Sequence, residues 1–145
     1  MKVKILISTT IILLCLAGCK TRERIITITE DRNYTACGVT DPIANLPWLA
    51  DTVAVALDKA RNDDHFYGAY INLYQHKTED RHLIGVQFTY YSQLDCCCEC
   101  GPIMSVYTCS KECIAVLGNN AAPFPEFKDN YERVTRLWSI KVIDK

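Results

Sequence analysis

The stretch GAYINLYQHKTEDRHLIGVQFTYY, residues 68–91, decides the fold. Ala69, Ile71 and Leu73 alternate with Tyr70, Asn72 and Tyr74. After a short charged interval, Lys77-Thr78-Glu79-Asp80, the alternation resumes, with Ile84, Val86, Phe88 and Tyr90 set against Leu83, Gln87 and Thr89. A period of two marks a strand whose faces meet different surroundings. Two such runs joined by a polar turn predict an antiparallel hairpin. One side of that hairpin is too apolar to be left in water, so the chain on either side must supply a cover.

Upstream lies CGVTDPIANLPWLAD. Asp41-Pro42 imposes an extended or turn geometry. Asn45 is placed to cap a helix whose first turn accepts Pro47. Leu46, Leu49, Val53, Leu57 and Ala60 recur at helical spacing, which predicts an amphipathic helix over about 46–61, stopped by Asn62-Asp63-Asp64. Downstream, Ile103 to Cys109 reads as a third strand. Residues 110–125 read as irregular, with a turn at Gly118-Asn119-Asn120 and with Pro123 and Pro125 blocking regular structure. FKDNYERV fits a short helix, and RLWSIKVI, with Leu137, Ser139 and Lys141 set against Trp138, Ile140 and Val142, fits a final strand. The expected fold is α+β: one N-terminal amphipathic helix packed on an antiparallel sheet of about four strands, stapled by disulfides.

The chain opens MKVKILISTTIILLCLAGCK. Lys2 and Lys4 precede an apolar run that ends on small residues, the pattern of a secretory signal and too short for a comfortable membrane span. Leu16-Ala17-Gly18-Cys19 resembles the bacterial lipobox. That resemblance implies that residues 1–18 are a lipoprotein signal peptide and that Cys19 becomes the acylated first residue of the mature chain. Palmitate-type chains on Cys19 would then hold the protein on a membrane, at about 0.8 kcal/mol per buried methylene. Residues 19–36, charged and rich in threonine, read as a lipidated tether, with Ile25, Ile26 and Ile28 as a possible short strand; residues 37–145 read as a single domain. KTRER, directly after Cys19, lacks the acidic pair linked in some Bacteroidetes lipoproteins to surface transport, which favours an outer membrane position facing the periplasm. The chain holds 16 basic and 17 acidic residues, and without Lys2 and Lys4 the balance is 14 against 17. That balance gives no electrostatic reason to expect nucleic acid as a partner.

Residues 37–49, with Cys37, Gly38 and Val39 followed by Leu46-Pro47-Trp48-Leu49, resemble small uncharacterised lipoproteins of Bacteroidetes. In these, the helix start is followed by a tyrosine-rich antiparallel sheet, and the tail from Trp138 to Ile143 agrees. The resemblance implies a fold type and a cell-envelope address, and it implies no activity. QLDCCCECGP, residues 93–102, has no counterpart in that pattern.

Beside Cys19, the mature domain has Cys37, Cys96, Cys97, Cys98, Cys100, Cys109 and Cys113. Export leads to an oxidising compartment, where disulfides persist and each adds about 2–4 kcal/mol to a small domain. Seven is odd, so at most three bridges form. One bridge is expected from Cys37, and one or two from the 96–100 cluster to Cys109 and Cys113. The first alternative is a metal site of Cys98, Cys100, Cys109 and Cys113, four thiolates that suit zinc or copper(I). The second is a thiol redox role for Cys97-x-x-Cys100, weakened by the absence of a following helix that would lower a thiol pKa.

His65, His76 and His82 each stand alone near a polar turn and read as solvated loop residues. Asp63-Asp64 and Glu79-Asp80 read as exposed turns. No nucleophile elbow, zinc-protease helix or phosphate-cradling glycine loop occurs. Tyr70 and Tyr74 on one strand, with Tyr90 and Tyr91 on its neighbour, have the composition of a binding surface. The expected function is therefore that of a non-catalytic, lipid-anchored binding or accessory module without a cofactor. Its partners are the membrane and an envelope protein, an inhibitor or immunity-type complex being one form.

Overall fold

The computed structural model describes residues 24–94, 103–118 and 125–144. The elements, in chain order, are β1 (Arg24–Glu30), β2 (Thr35–Ala36), β3 (Val39–Thr40), α1 (Pro42–Asn45), α2 (Pro47–Asn62), β4 (Phe66–His76), β5 (His82–Tyr90), α3 (Tyr91–Leu94), β6 (Met104–Tyr107), β7 (Cys113–Leu117), α4 (Pro125–Asn130) and β8 (Tyr131–Asp144). Six strands form one antiparallel sheet in the order β1-β8-β4-β5-β6-β7, and β2 pairs with β3 in a separate two-stranded ribbon.

This corrects the expected architecture of one helix on about four strands: the fold is mostly antiparallel sheet. Two strands account for the difference. Arg24–Glu30, within the stretch read as a tether, pairs along its whole length with β8. Cys113–Leu117, within the stretch read as irregular, pairs with β6. The last strand also begins earlier than its alternation suggests, at Tyr131.

The hairpin of residues 68–91 is β4 and β5, paired from Phe66↔Tyr90 to Gln75↔His82. Its turn is organised by His76, whose Nδ1 accepts the amides of Thr78 (3.3 Å) and Glu79 (3.1 Å). The long β8 inserts between β1 and β4, so the chain's last strand lies inside the sheet. Ala69, Ile71 and Leu73 of β4, Ile84 and Val86 of β5 and Trp138, Ile140 and Val142 of β8 form one apolar face, and α2 covers it. Leu49, Ala56 and Ala60 are the buried side of the helix, and the two alanines let its axis approach the sheet closely. Lys59 and Arg61 in the last turn match the negative end of the helix dipole.

The start of α2 differs from expectation. Its N-cap is Leu46, which makes no side-chain capping bond, and Pro47 opens the helix. Asn45 instead ends α1, its Nδ2 donating to the Thr40 carbonyl at 2.6 Å. Asp41, in the left-handed region at φ 47°, caps α1 by accepting the Ala44 amide at 3.3 Å.

A second, smaller core lies on the opposite face of the sheet. Leu83, Val106 and Phe127 are its centre, with Tyr74, Met104 and Leu117 packed around them, and α4 supplies Phe127 as the lid. At Gly85 an added Cβ would lie 2.7 Å from Met104 Sδ and 2.8 Å from the Tyr74 ring. The glycine is the gap into which those two side chains fit.

Candidate functional site

The part of the second face that no described element covers is the candidate site. Strand alternation places Tyr70 and Asn72 of β4, Gln87 and Thr89 of β5, and Ser139 and Lys141 of β8 on this side, opposite α2. The register slips between Phe66 and Gly68, so Tyr67 is an extra residue in β4. Bulges of this kind re-aim a side chain. Tyr67 meets Tyr91, the first residue of α3, edge to face at 5.3 Å, and the Lys141 ammonium stands 5.4 Å from its ring centre. Tyr91 is fixed at both ends: its amide donates to the His65 carbonyl at 2.9 Å and its hydroxyl to the Val142 carbonyl at 3.1 Å.

Two strand positions away, the Arg136 guanidinium lies 4.5 Å over the Tyr70 ring, and its Nε donates to Asn72 Oδ1 at 3.5 Å. Asn72 is buried, so this contact gives its carbonyl oxygen a partner. Arg133, paired with Tyr74 across the β4–β8 ladder, continues the row. Arg133, Arg136 and Lys141 are all exposed. Together they make a cationic stripe along β8, flanked by half-buried tyrosines. The Lys141 ammonium is held above its ordinary pKa, first by its hydrogen bond with Tyr67. Beside this pair opens a recess of about 590 Å³ lined by Tyr67, Tyr91, Lys141, Ile143, His65 and Asp64. The stripe offers fixed positive charge next to flat, partly apolar rings, an arrangement that takes anionic groups and planar or apolar surfaces together.

Of the four tyrosines singled out in the sequence, Tyr70 and Tyr91 lie on this face. Tyr74 shares it but sits under Phe127, ring centroids 4.9 Å apart. Tyr90 lies on the other side, packed against the main core at 5.8 Å from Phe66, with Lys59 of α2 over its ring. Tyr67, which completes the patch, is hidden from a period-two reading because the bulge breaks the parity of β4.

The cysteines divide. Cys37 and Cys109 form a disulfide with Cα atoms 5.5 Å apart, linking the β2–β3 ribbon to the chain that follows β6. Trp48 reinforces this junction: its Nε1 donates to the Cys109 carbonyl at 3.0 Å, and its ring meets Tyr107 at 5.5 Å. A bridge from Cys37 was expected, but its partner takes Cys109 out of both other roles considered for it. In this pairing Cys109 has no thiolate to give to the set of Cys98, Cys100, Cys109 and Cys113, because a sulfur in a disulfide is no thiolate ligand. Cys113 carries an exposed free thiol among the described residues. Cys96, Cys97, Cys98 and Cys100 lie outside the described residues, as does Cys19. No group of histidine, cysteine and carboxylate residues suited to a metal occurs among the described residues.

The histidines serve different places. His76 holds the β4–β5 turn and stands edge-on to Tyr131 at 4.9 Å. His65 lines the recess beside Tyr67. His82 lines a second hollow, of about 570 Å³, beside the disulfide. No helix among the described residues is long and apolar enough to cross a membrane. No family model, no curated protein and no solved structure matches the chain.

Proposed function

We propose that this protein is a lipid-anchored, non-catalytic binding module of the cell envelope. It is held at the outer membrane, facing the periplasm, through acyl chains on Cys19, and it presents the Tyr67–Tyr70–Tyr91 face to an envelope protein. The observation that carries the reading is the pairing of exposed cations with half-buried rings on one sheet face: Lys141 with Tyr67, and Arg136 with Tyr70. Tyrosine and arginine are the residue types that dominate the energetics of protein interfaces. A rigid sheet that already holds these rings in place gives up little side-chain freedom on binding. The Cys37–Cys109 bridge suits an exported address. The lipobox-like ending at Cys19 supports the anchoring part on sequence grounds.

The test is photo-crosslinking in cells. A photo-reactive p-benzoyl-phenylalanine replaces Gln87, which lies on the same face directly across from Tyr70. The full chain is expected to give a discrete adduct with another envelope protein, lost when Arg136→Glu and Lys141→Glu are combined. An absent adduct, or one indifferent to the charge reversal, overturns the reading.

A further inference from the structure

Strand β1 is an edge of the sheet without the usual protection. Edge strands are commonly blunted by shortness, lysine, proline or a bulge, because their unpaired amides and carbonyls template pairing with another chain. β1 is seven residues long and reads RIITITE. Its register with β8 runs unbroken from Arg24↔Asp144 to Glu30↔Trp138. No strand among the described residues lies on its other side.

The backbone direction follows from one hydrogen bond. The Asp31 amide donates to the Leu137 carbonyl at 2.9 Å. Pairing in an antiparallel ladder alternates residue by residue. Thr29, Thr27 and Ile25 therefore turn their amides towards β8, while Glu30, Ile28, Ile26 and Arg24 turn theirs outward. Apolar surface gathers at the same place. Of the seven exposed large hydrophobic residues among those described, four belong to this edge: Ile25 (38%), Ile26 (37%) and Ile28 (45%) of β1, and Ile143 (44%) of β8.

The strand is complementary to itself. Run antiparallel against a second copy about Thr27, Arg24 faces Glu30, Ile26 faces Ile28, and Thr27 faces Thr27. Arg24 is already held within its own copy by Asp64 and Asp144, and Glu30 by Arg32, so the complementarity rests on the isoleucines, which meet on the face that carries α2. In this register the outward-facing amides of one copy oppose the outward-facing carbonyls of the other. A one-residue slip would set outward-facing groups against inward-facing ones, and a two-residue slip would leave one isoleucine pair in place of two.

We propose that β1 is a homodimerisation strand, joining two copies through antiparallel β1–β1 pairing on a two-fold axis at Thr27, so that the two six-stranded sheets become one. This is an isologous interface, in which one surface serves both copies. It leaves the β4–β5 part of the second face open and does not depend on that face binding anything.

The test uses the full chain in cells, with p-benzoyl-phenylalanine in place of Thr27. Illumination is expected to yield a species of twice the chain mass whose linked peptides both contain residues 25–32. The same probe in place of Val116, an exposed residue of the opposite edge strand β7, is expected to yield none. Two variants separate pairing from folding. Ile28→Lys puts a charge on the edge, and Ile26→Pro removes an amide that β8 does not use. Each should lower the dimer yield at least about tenfold, with circular dichroism and Tm close to the parent's. The proposal falls if the Thr27 probe gives no dimer, if the Val116 probe gives an equal one, or if the dimer persists in both variants. It falls equally if both variants unfold, since the outward-facing groups would then belong to the monomer's own structure.

Discussion

Phe127 stands edge-on to Tyr74, and burial raises the Tyr74 phenol above its ordinary pKa, while Arg133 and Arg136 pull it partly back. A raised value means that the folded chain keeps a proton that the unfolded chain releases near pH 10. Stability therefore falls as pH climbs from about 10 towards the folded value, and the contribution is intact below that range. Tyr74→Phe should flatten this alkaline loss, measured as urea midpoints on either side of pH 10. Phe127→Ala should cost about 3 kcal/mol and bring the tyrosinate absorbance of Tyr74 back towards ordinary titration. An unchanged titration in that variant would mean that α4 does not shield the ring. Gly85→Ala tests the same pocket from beneath, because the new methyl would crowd Tyr74 and Met104. A loss of about 1–3 kcal/mol is expected from overpacking, read by thermal unfolding; a neutral result would mean that the methionine simply moves aside. Residue-scale detail of this kind is also where the sequence is hardest to read. Tyr90 and Tyr91 are neighbours in the chain yet serve opposite faces, and Tyr67 joins the patch only because a bulge breaks the alternation.

At the scale of elements, legibility followed the strength of the periodic pattern. The β4–β5 hairpin and α2 were readable because their apolar positions repeat over nine or more residues against polar partners. β7 was not, since CIAVL is short, apolar throughout and followed closely by turn-forming residues. β1 was legible in part: Ile25, Ile26 and Ile28 offer a short strand, but the charged, threonine-rich setting favours a tether, and an edge strand with exposed isoleucines carries no core-facing signature. The partner of Cys37 was also beyond reach, because it depends on β6 returning beside β5 to bring Cys109 near. That bridge closes a loop with a sequence separation of 72. Loop-closure entropy assigns it about 4 kcal/mol as an upper figure. The double variant Cys37→Ser, Cys109→Ser should lose most of that in a urea titration. A loss under about 1 kcal/mol would mean that contacts such as Trp48 on Tyr107 and Cys109 already hold the ribbon in place.

For the whole molecule, the sheet has two unequal faces. Among the described residues, one is closed along its centre by α2, and the other at the end where α4 lies. Attachment through Cys19 would set the distance of the open face from the bilayer. Cys19→Ala should move the chain from the membrane to the soluble fraction and remove the lipid mass; a variant still fractionating with membranes would mean that something other than acylation holds it there.

The Cys37–Cys109 bridge has a mechanical meaning as well. Among the described residues, tension arriving from the N-terminal side meets Arg24 first, where ion pairs to Asp64 (2.7 Å) and Asp144 (3.3 Å) act as a latch. Once the latch opens, β1 can peel from β8 one residue pair at a time, the weakest way to load a sheet. Peeling stops at Cys37, because a covalent bond there hands the load to the chain after β6, far from the edge that yielded. Under such a load residues 24–36 could pay out roughly 45 Å at full extension before the disulfide carries the force to the chain after β6.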